Sequence, residues 1–250
     1  MKKPFYVHLD SACPVSKSFF PTNTATEFTI QLPNRLEFKK DWIIALKNFS
    51  LHNNVPNIID CYITVGGESF RLEDGIYTIN EILLGINKLL GGILQVRGIS
   101  EKAPNGGKIF VRTIRDVEEE ITFSLNLSKV LGLSQEQRTL KLKMGEIVTA
   151  QSKWNITANL PRQLMISCDI IENSLFAGEM KQILRIISLP ENYEDTFFNF
   201  EFSTNEYLKL ESKSFDKIRI KITDLNGDPV KIMGNLSTRL QILFLNINSA

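Results

Sequence analysis

Two histidines, three cysteines and a handful of carboxylates are the side chains of this chain with chemistry to offer, and their spacing decides how much. His8 lies within an apolar stretch and His52 follows one. Neither sits in a nucleophile elbow or a metal-ligand spacing, and nucleophilic catalysis by serine or cysteine needs a positioned base. Both read as ordinary surface or hydrogen-bonded histidines. Cys13, Cys61 and Cys168 are odd in number, far apart and without a CxxC pair, which suits a reducing compartment where thiols stay free. Cys168 alternates in phase with Leu164, Ile166 and Ile170, as a small core residue does. Asp169, Glu172 and Glu179 are close enough in sequence to raise the paired carboxylates of a glycosidase, but any strand-plus-loop segment carries such acids. Gly66-Gly67 and Gly106-Gly107 do not continue into the lysine and serine of a phosphate loop. The reading is therefore of a non-enzyme: no catalytic residue, no metal ligand and no cofactor site is assigned.

Composition narrows the classes further. Hydrophobic residues make up 43% of the 250, enough for a large core. Basic and acidic side chains number 29 and 28, and no block of like charge exceeds the three glutamates at 118–120. Proteins that grip phosphate backbones carry a basic excess on some segment, so direct nucleic-acid binding is not indicated. No apolar run reaches the roughly 20 residues of a bilayer span. The Met1-Lys2-Lys3 opening runs into a patch broken by His8 and Asp10, which reads as a first strand rather than a signal peptide. Without a secretory route, the sequons at Asn48, Asn126, Asn155 and Asn235 carry no meaning.

The elements that must position any functional surface are mostly strands. Phe28, Ile30 and Leu32 alternate with polar residues, as do Leu164, Ile166, Cys168 and Ile170; Phe198, Phe200 and Phe202; and Ile218, Ile220 and Ile222. Period two with one apolar face predicts half-buried strands. Further strands are expected at 5–9, 42–49, 61–65, 182–187, 230–233 and 239–247, with Asn226-Gly227-Asp228-Pro229 as a turn. Between 67 and 146 the pattern changes. Thr78 and Glu81 form a capping box ahead of Ile79, Ile82, Leu83, Ile86 and Leu90, one face of a helix that Gly91-Gly92 ends. Strands near 108–113 and 120–125, joined by a charged turn at 115–119, and a short helix at 128–131 closed by Gly132 complete this stretch. The expected fold class is all-β: an antiparallel single jelly-roll β-sandwich built from 1–66 and 147–250, with a small α+β insertion at 67–146. Neither flank has enough strands to close a sandwich by itself.

One feature exceeds what a simple sandwich needs. In 240–247, Leu240, Ile242 and Phe244 form one row and Leu243, Leu245 and Ile247 a second. The stretches 42–49 and 182–189 are also apolar on both faces. A sandwich strand ordinarily has a wet outer face, so either the insertion or a neighbouring subunit covers these. Leu243, Leu245 and Ile247 are the candidate subunit-interface residues.

Several segments, in order and over nearly the whole chain, resemble the penton, or minor capsid, proteins of Polinton/Maverick elements, adintoviruses and virophages. They are Phe5-Tyr6-Val7-His8-Leu9-Asp10-Ser11; Phe20-Pro21-Thr22-Asn23-Thr24 leading to Phe28; Leu36 through Trp42-Ile43-Ile44-Ala45-Leu46; Asp74-Gly75-Ile76-Tyr77 with its helix; Leu131-Gly132-Leu133; Cys168-Asp169-Ile170-Ile171-Glu172; Leu184-Arg185-Ile186-Ile187; and Ile222-Thr223-Asp224-Leu225-Asn226-Gly227. The resemblance implies a jelly-roll that assembles as a homopentamer at icosahedral vertices. Its partner there would be a double jelly-roll major capsid protein, its place the virion capsid. It carries over no catalytic residue, and it admits a host receptor as a partner of the inserted module. A carbohydrate- or receptor-binding β-sandwich module is the alternative, and it calls for an exposed aromatic platform or a calcium-type cluster.

Overall fold

The computed structural model describes residues 3–38, 42–100, 102, 106–114, 120–141, 143–190, 197–234 and 236–247. The charged turn at 115–119, the sequon asparagine Asn235 and residues 39–41 of the segment from Leu36 to Trp42 lie outside these residues. The chain divides into two compact units, 1–54 with 161–250, and 55–160.

The first unit is a sandwich of eight main strands: β1 (Phe5–Asp10), β2 (Glu27–Glu37), β3 (Trp42–His52), β4 (Gln163–Cys168), β5 (Ile183–Ser188), β6 (Phe197–Glu201), β7 (Ser214–Thr223) and β8 (Thr238–Asn246). One sheet has the order β1-β8-β3-β6, with the short Leu208–Lys209 strand also on β3; the other has the order β5-β4-β7-β2. Every neighbouring pair is antiparallel. Each sheet mixes strands from both ends of the chain, and successive strands swap sheets except β4 and β5, which pair with each other. This is the jelly-roll arrangement.

The alternating residues dictate it. Leu9, Ile44, Leu46, Phe49, Leu240, Ile242 and Phe244 line the inner face of the first sheet. Phe28, Ile30, Leu164, Ile166, Cys168, Ile218, Ile220 and Ile222 line that of the second. Burying each large side chain contributes about 1.5–3 kcal/mol. At one end the rings of Phe5, Phe38, Trp42, Phe215 and Phe244 stack; Phe215 of β7 lies 6.3 Å from Phe244 of β8 and ties the two sheets together.

Three local features differ from the sequence reading. A six-residue helix, α1 (Pro14–Phe19), follows β1, its proline in the first turn where no amide partner is needed. A hairpin of Ser174–Phe176 and Glu179–Lys181 turns through Ala177 and Gly178, both at positive φ. The expected strand at 230–233 is absent. The Asp224 carboxylate instead accepts from the amides of Asn226 and Asp228, and only a single bridge from Thr223 to Pro229 forms.

The inserted unit is wider than 67–146. Tyr62–Val65, expected among the sandwich strands, turns through Gly66 and Gly67 at positive φ to pair with Glu68–Arg71, and pairs on its other side with Ile121–Phe123. Ile58, Cys61, Ile63, Val65 and Ala150 belong to this unit's own core, so ends at 66 and 146 would cut through it. Its helix α2 (Ile79–Leu90) has the full capping box: the Glu81 amide donates to Thr78 Oγ1, and the Thr78 amide donates 2.7 Å to the Glu81 carboxylate. Ile82, Leu83, Ile86 and Leu90 are its buried face. A second sheet joins Leu94–Gly98, a strand the sequence reading lacks, to Ile109–Thr113 and Ile147–Thr149. The strands at 109–113 and 121–123 thus lie in different sheets. Helix α3 (Leu125–Leu131) begins earlier than expected because Ser124 caps it, and it ends on Gly132 at φ 74°. A Cβ there would stand 2.4 Å from the Ser152 carbonyl, which explains the glycine. Among the described residues no helix is long and apolar enough to cross a membrane.

Candidate functional site

The side chains with potential chemistry scatter. Asp169 accepts from the Arg219 amide at 2.8 Å beside Glu27 and Lys217, and burial pushes its carboxyl above the usual range. Glu172 lines a separate cleft, and Glu179 pairs with Lys181 in the hairpin. The three acids occupy three different places rather than facing one another. His8 stands 3.3 Å from the Gln241 amide group, and His52 is edge-on to Phe197. Burial raises the thiols of Cys61 to about 11 and Cys168 to about 12, so both are packing residues. Cys13, half-buried at the start of α1, is instead lowered by the Ser16 amide and hydroxyl. Among the described residues no three His, Cys, Asp or Glu side chains gather as a metal site.

What the structure does assemble is a surface. The register of β8 sends Leu240, Ile242 and Phe244 inward and Leu243 and Leu245 to the other side, and Ile247 follows just beyond the strand. Leu243 is 8% exposed, Leu245 half-buried and Ile247 46% exposed, so the three grade from covered to open. Their cross-strand neighbours extend the row. Tyr6 of β1 is opposite Leu243, Ala45 of β3 is on its other side, and Ile43 is opposite Leu245. The sequence reading did not single out Tyr6 or Ile43. The signal was present in the apolar-on-both-faces pattern of 42–49, but pairing them with β8 needs the register. Toward Asp10 the face turns polar, through His8, Gln241, Asn48 and the Arg239–Asp10 ion pair.

At the opposite end of this face, a cleft of about 250 Å³ opens beside Ile247, walled by Phe38, Trp42 and Leu210 and rimmed by Lys209, Lys213 and Glu172. Lys209 is the register neighbour of Ile43, which makes cleft and row one continuous surface. It offers apolar area, an aromatic wall, two exposed cations and the Glu172 carboxylate.

No protein-family model matches the chain, and no curated protein sequence does. Solved structures do, and two of them show what the likeness covers. A chain in the cryo-EM structure of the Sputnik virophage is similar with a TM-score of 0.55 at 12% identity, covering 100% of this chain and 99% of that one. The crystal structure of the mavirus penton protein is similar with a TM-score of 0.52 at 14% identity, covering 98% and 100%. At such identities the likeness establishes the fold, and it spans both units.

Proposed function

We propose that this chain is a structural shell protein that closes into rings of five at the vertices of an icosahedral particle. The observation that carries the reading is the end-to-end likeness to a penton protein, insertion included. The row of Leu243, Leu245 and Ile247 supports it, because a free-standing sandwich has no use for a second apolar face on β8. Identical subunits in a ring meet through two different surfaces, and this row is one of them. A double jelly-roll major capsid protein is the neighbour at the ring's rim, the virion is the site of action, and the inserted unit is available to a host receptor. Assembly takes place in a reducing host compartment, which the three unpaired thiols suit. The role is structural rather than catalytic, and likeness to a penton protein and to a chain of a virophage particle favours it over a carbohydrate-binding module. Negative-stain imaging of the purified chain tests it. Five-fold rings are the expected result, and a stable monomer with affinity for a glycan array would overturn it.

A further inference from the structure

The turn that follows β7 holds a pair of residues that the shell role does not use. Gly227 takes φ 90°, the left-handed region that favours glycine. Its amide donates 3.2 Å to the Asp224 carbonyl, at the long end for such a bond. Both oxygens of the Asp224 carboxylate are engaged. Oδ1 accepts from the amides of Asn226 and Asp228 at 2.9 Å, and Oδ2 accepts from Asn226 Nδ2 at 3.3 Å. One carboxylate therefore grips Asn226 by its backbone and by its side chain, and holds that side chain back along its own main chain. Leu225, Asn226, Asp228 and Pro229 are exposed, so water reaches the turn.

We propose that Asn226 is a self-modification site, where the Gly227 amide converts the asparagine to aspartate or isoaspartate and so dismantles the Asp224-centred turn. The Gly227 nitrogen gives its proton to hydroxide and attacks Asn226 Cγ. A C–N bond forms, closing a succinimide ring; the Cγ–Nδ2 bond breaks, and Nδ2 leaves as ammonia with a proton from water. A second water opens the ring at either carbonyl. Overall one water is consumed and one ammonia released, with no oxidant, metal or second protein. Three features select this residue. Ring closure needs only rotation about bonds of Asn226 itself. Gly227 has no Cβ to shield its nitrogen, and no atom lies within 4 Å of where a Cβ would stand. The bond its amide must give up, to the Asp224 carbonyl, is the long one. The product then undoes the turn. A carboxylate at 226 replaces the Nδ2 donor with a charge that Asp224 repels, and Asp228 stands close by. Isoaspartate also adds a methylene to the main chain between the Asp224 carbonyl and the Gly227 amide. Pro229, bridged to Thr223, and the buried Val230 lose the anchor that leads into them. The turn thereby records the age of the chain.

The test is peptide mapping of the full chain, warmed for weeks in alkaline buffer beside a urea-unfolded sample. The expected result is a mass gain of about 1 Da in the peptide carrying Asn226, at a rate within about tenfold of the unfolded chain's. Gly227→Ala should slow the conversion about tenfold or more, and Asn226→Ser should abolish it. An Asn226 that persists in the folded chain while the unfolded chain converts would show that the turn protects it, and would overturn the proposal. Asn226→Asp supplies the product without the chemistry. Its amides at 226 and 228 should exchange hydrogen about tenfold faster than those of the wild type, with circular dichroism unchanged. Exchange at the wild-type rate would overturn the dismantling of the turn.

Discussion

The two sheets of the sandwich have similar inner faces, and their outer faces differ where β2 and β7 are set against β3 and β8; elsewhere on the second sheet, Met165 of β4 and Ile186 of β5 form an apolar outward pair. On the outer side of the second sheet, β2 and β7 present Glu27, Thr29 and Gln31 against Lys221, Arg219 and Lys217, with Arg219 and Glu27 paired. Polar and charged groups there are content in water. On the outer side of the first sheet, the same pleat presents Tyr6, Ile43, Leu243 and Leu245, with Ile247 just beyond. Strand geometry is indifferent to this choice. The difference shows where the single chain leaves apolar surface in water: β2 and β7 end in paired charges, whereas Tyr6 and Ile247 beside β8 stay 51% and 46% exposed, and the proposed ring contact would cover them.

Cutting the chain breaks the comparison most severely. A fragment of 147–250 keeps β6 and β8 but lacks β1 and β3, between which β8 pairs, so it is expected to be insoluble or molten. Loss of near-ultraviolet circular dichroism would show this, and a cooperatively folding fragment would refute the shared sandwich. Next in size is Phe244→Ala. It removes a fully buried ring stacked 5.0 Å from Phe5, and should cost about 3–5 kcal/mol in urea unfolding. Leu245→Asp, one position along but facing outward, should cost less than about 1 kcal/mol. If Leu245→Asp unfolds the chain as readily as Phe244→Ala, the two faces of β8 are not distinct. The thiols act on the inner cores only at alkaline pH. An unfolded cysteine releases its proton near 9.0, whereas the fold holds those of Cys61 and Cys168 to about 11 and 12. Their contribution is complete below pH 9 and is lost as pH rises toward 11–12, so the urea midpoint should fall over that range. At pH 8 iodoacetamide should label Cys13 first, with the other two reacting only on unfolding.

Alternation made the inner faces legible in the sequence. Ile218, Ile220 and Ile222 could only be a half-buried strand, and Thr78 with Glu81 could only open a helix. Sheet membership was not legible. Tyr62–Val65 has the same alternation whether it pairs with β3's neighbours or with Ile121–Phe123, because pairing is decided by contacts far apart in the chain. The hairpin at 174–181 was hidden for a local reason: its turn uses Ala177 at φ 50° where asparagine or glycine ordinarily announces such a turn. α1 was hidden by its length, too short to show a helical period. Of the candidate interface, the second apolar row of β8 was visible in advance. Its neighbours Tyr6 and Ile43, and the cleft rimmed by Lys209 and Lys213, needed the register.

The central claim is that the outer face of the first sheet is a subunit contact, and weighing the particle in solution tests it most directly. Mass photometry of the wild type should give a species of five 28.5-kDa chains, and Leu245→Asp should give a single folded chain under the same conditions. A wild type that stays monomeric at high concentration, even with a major capsid protein present, or a Leu245→Asp variant that still weighs five chains, would contradict the account.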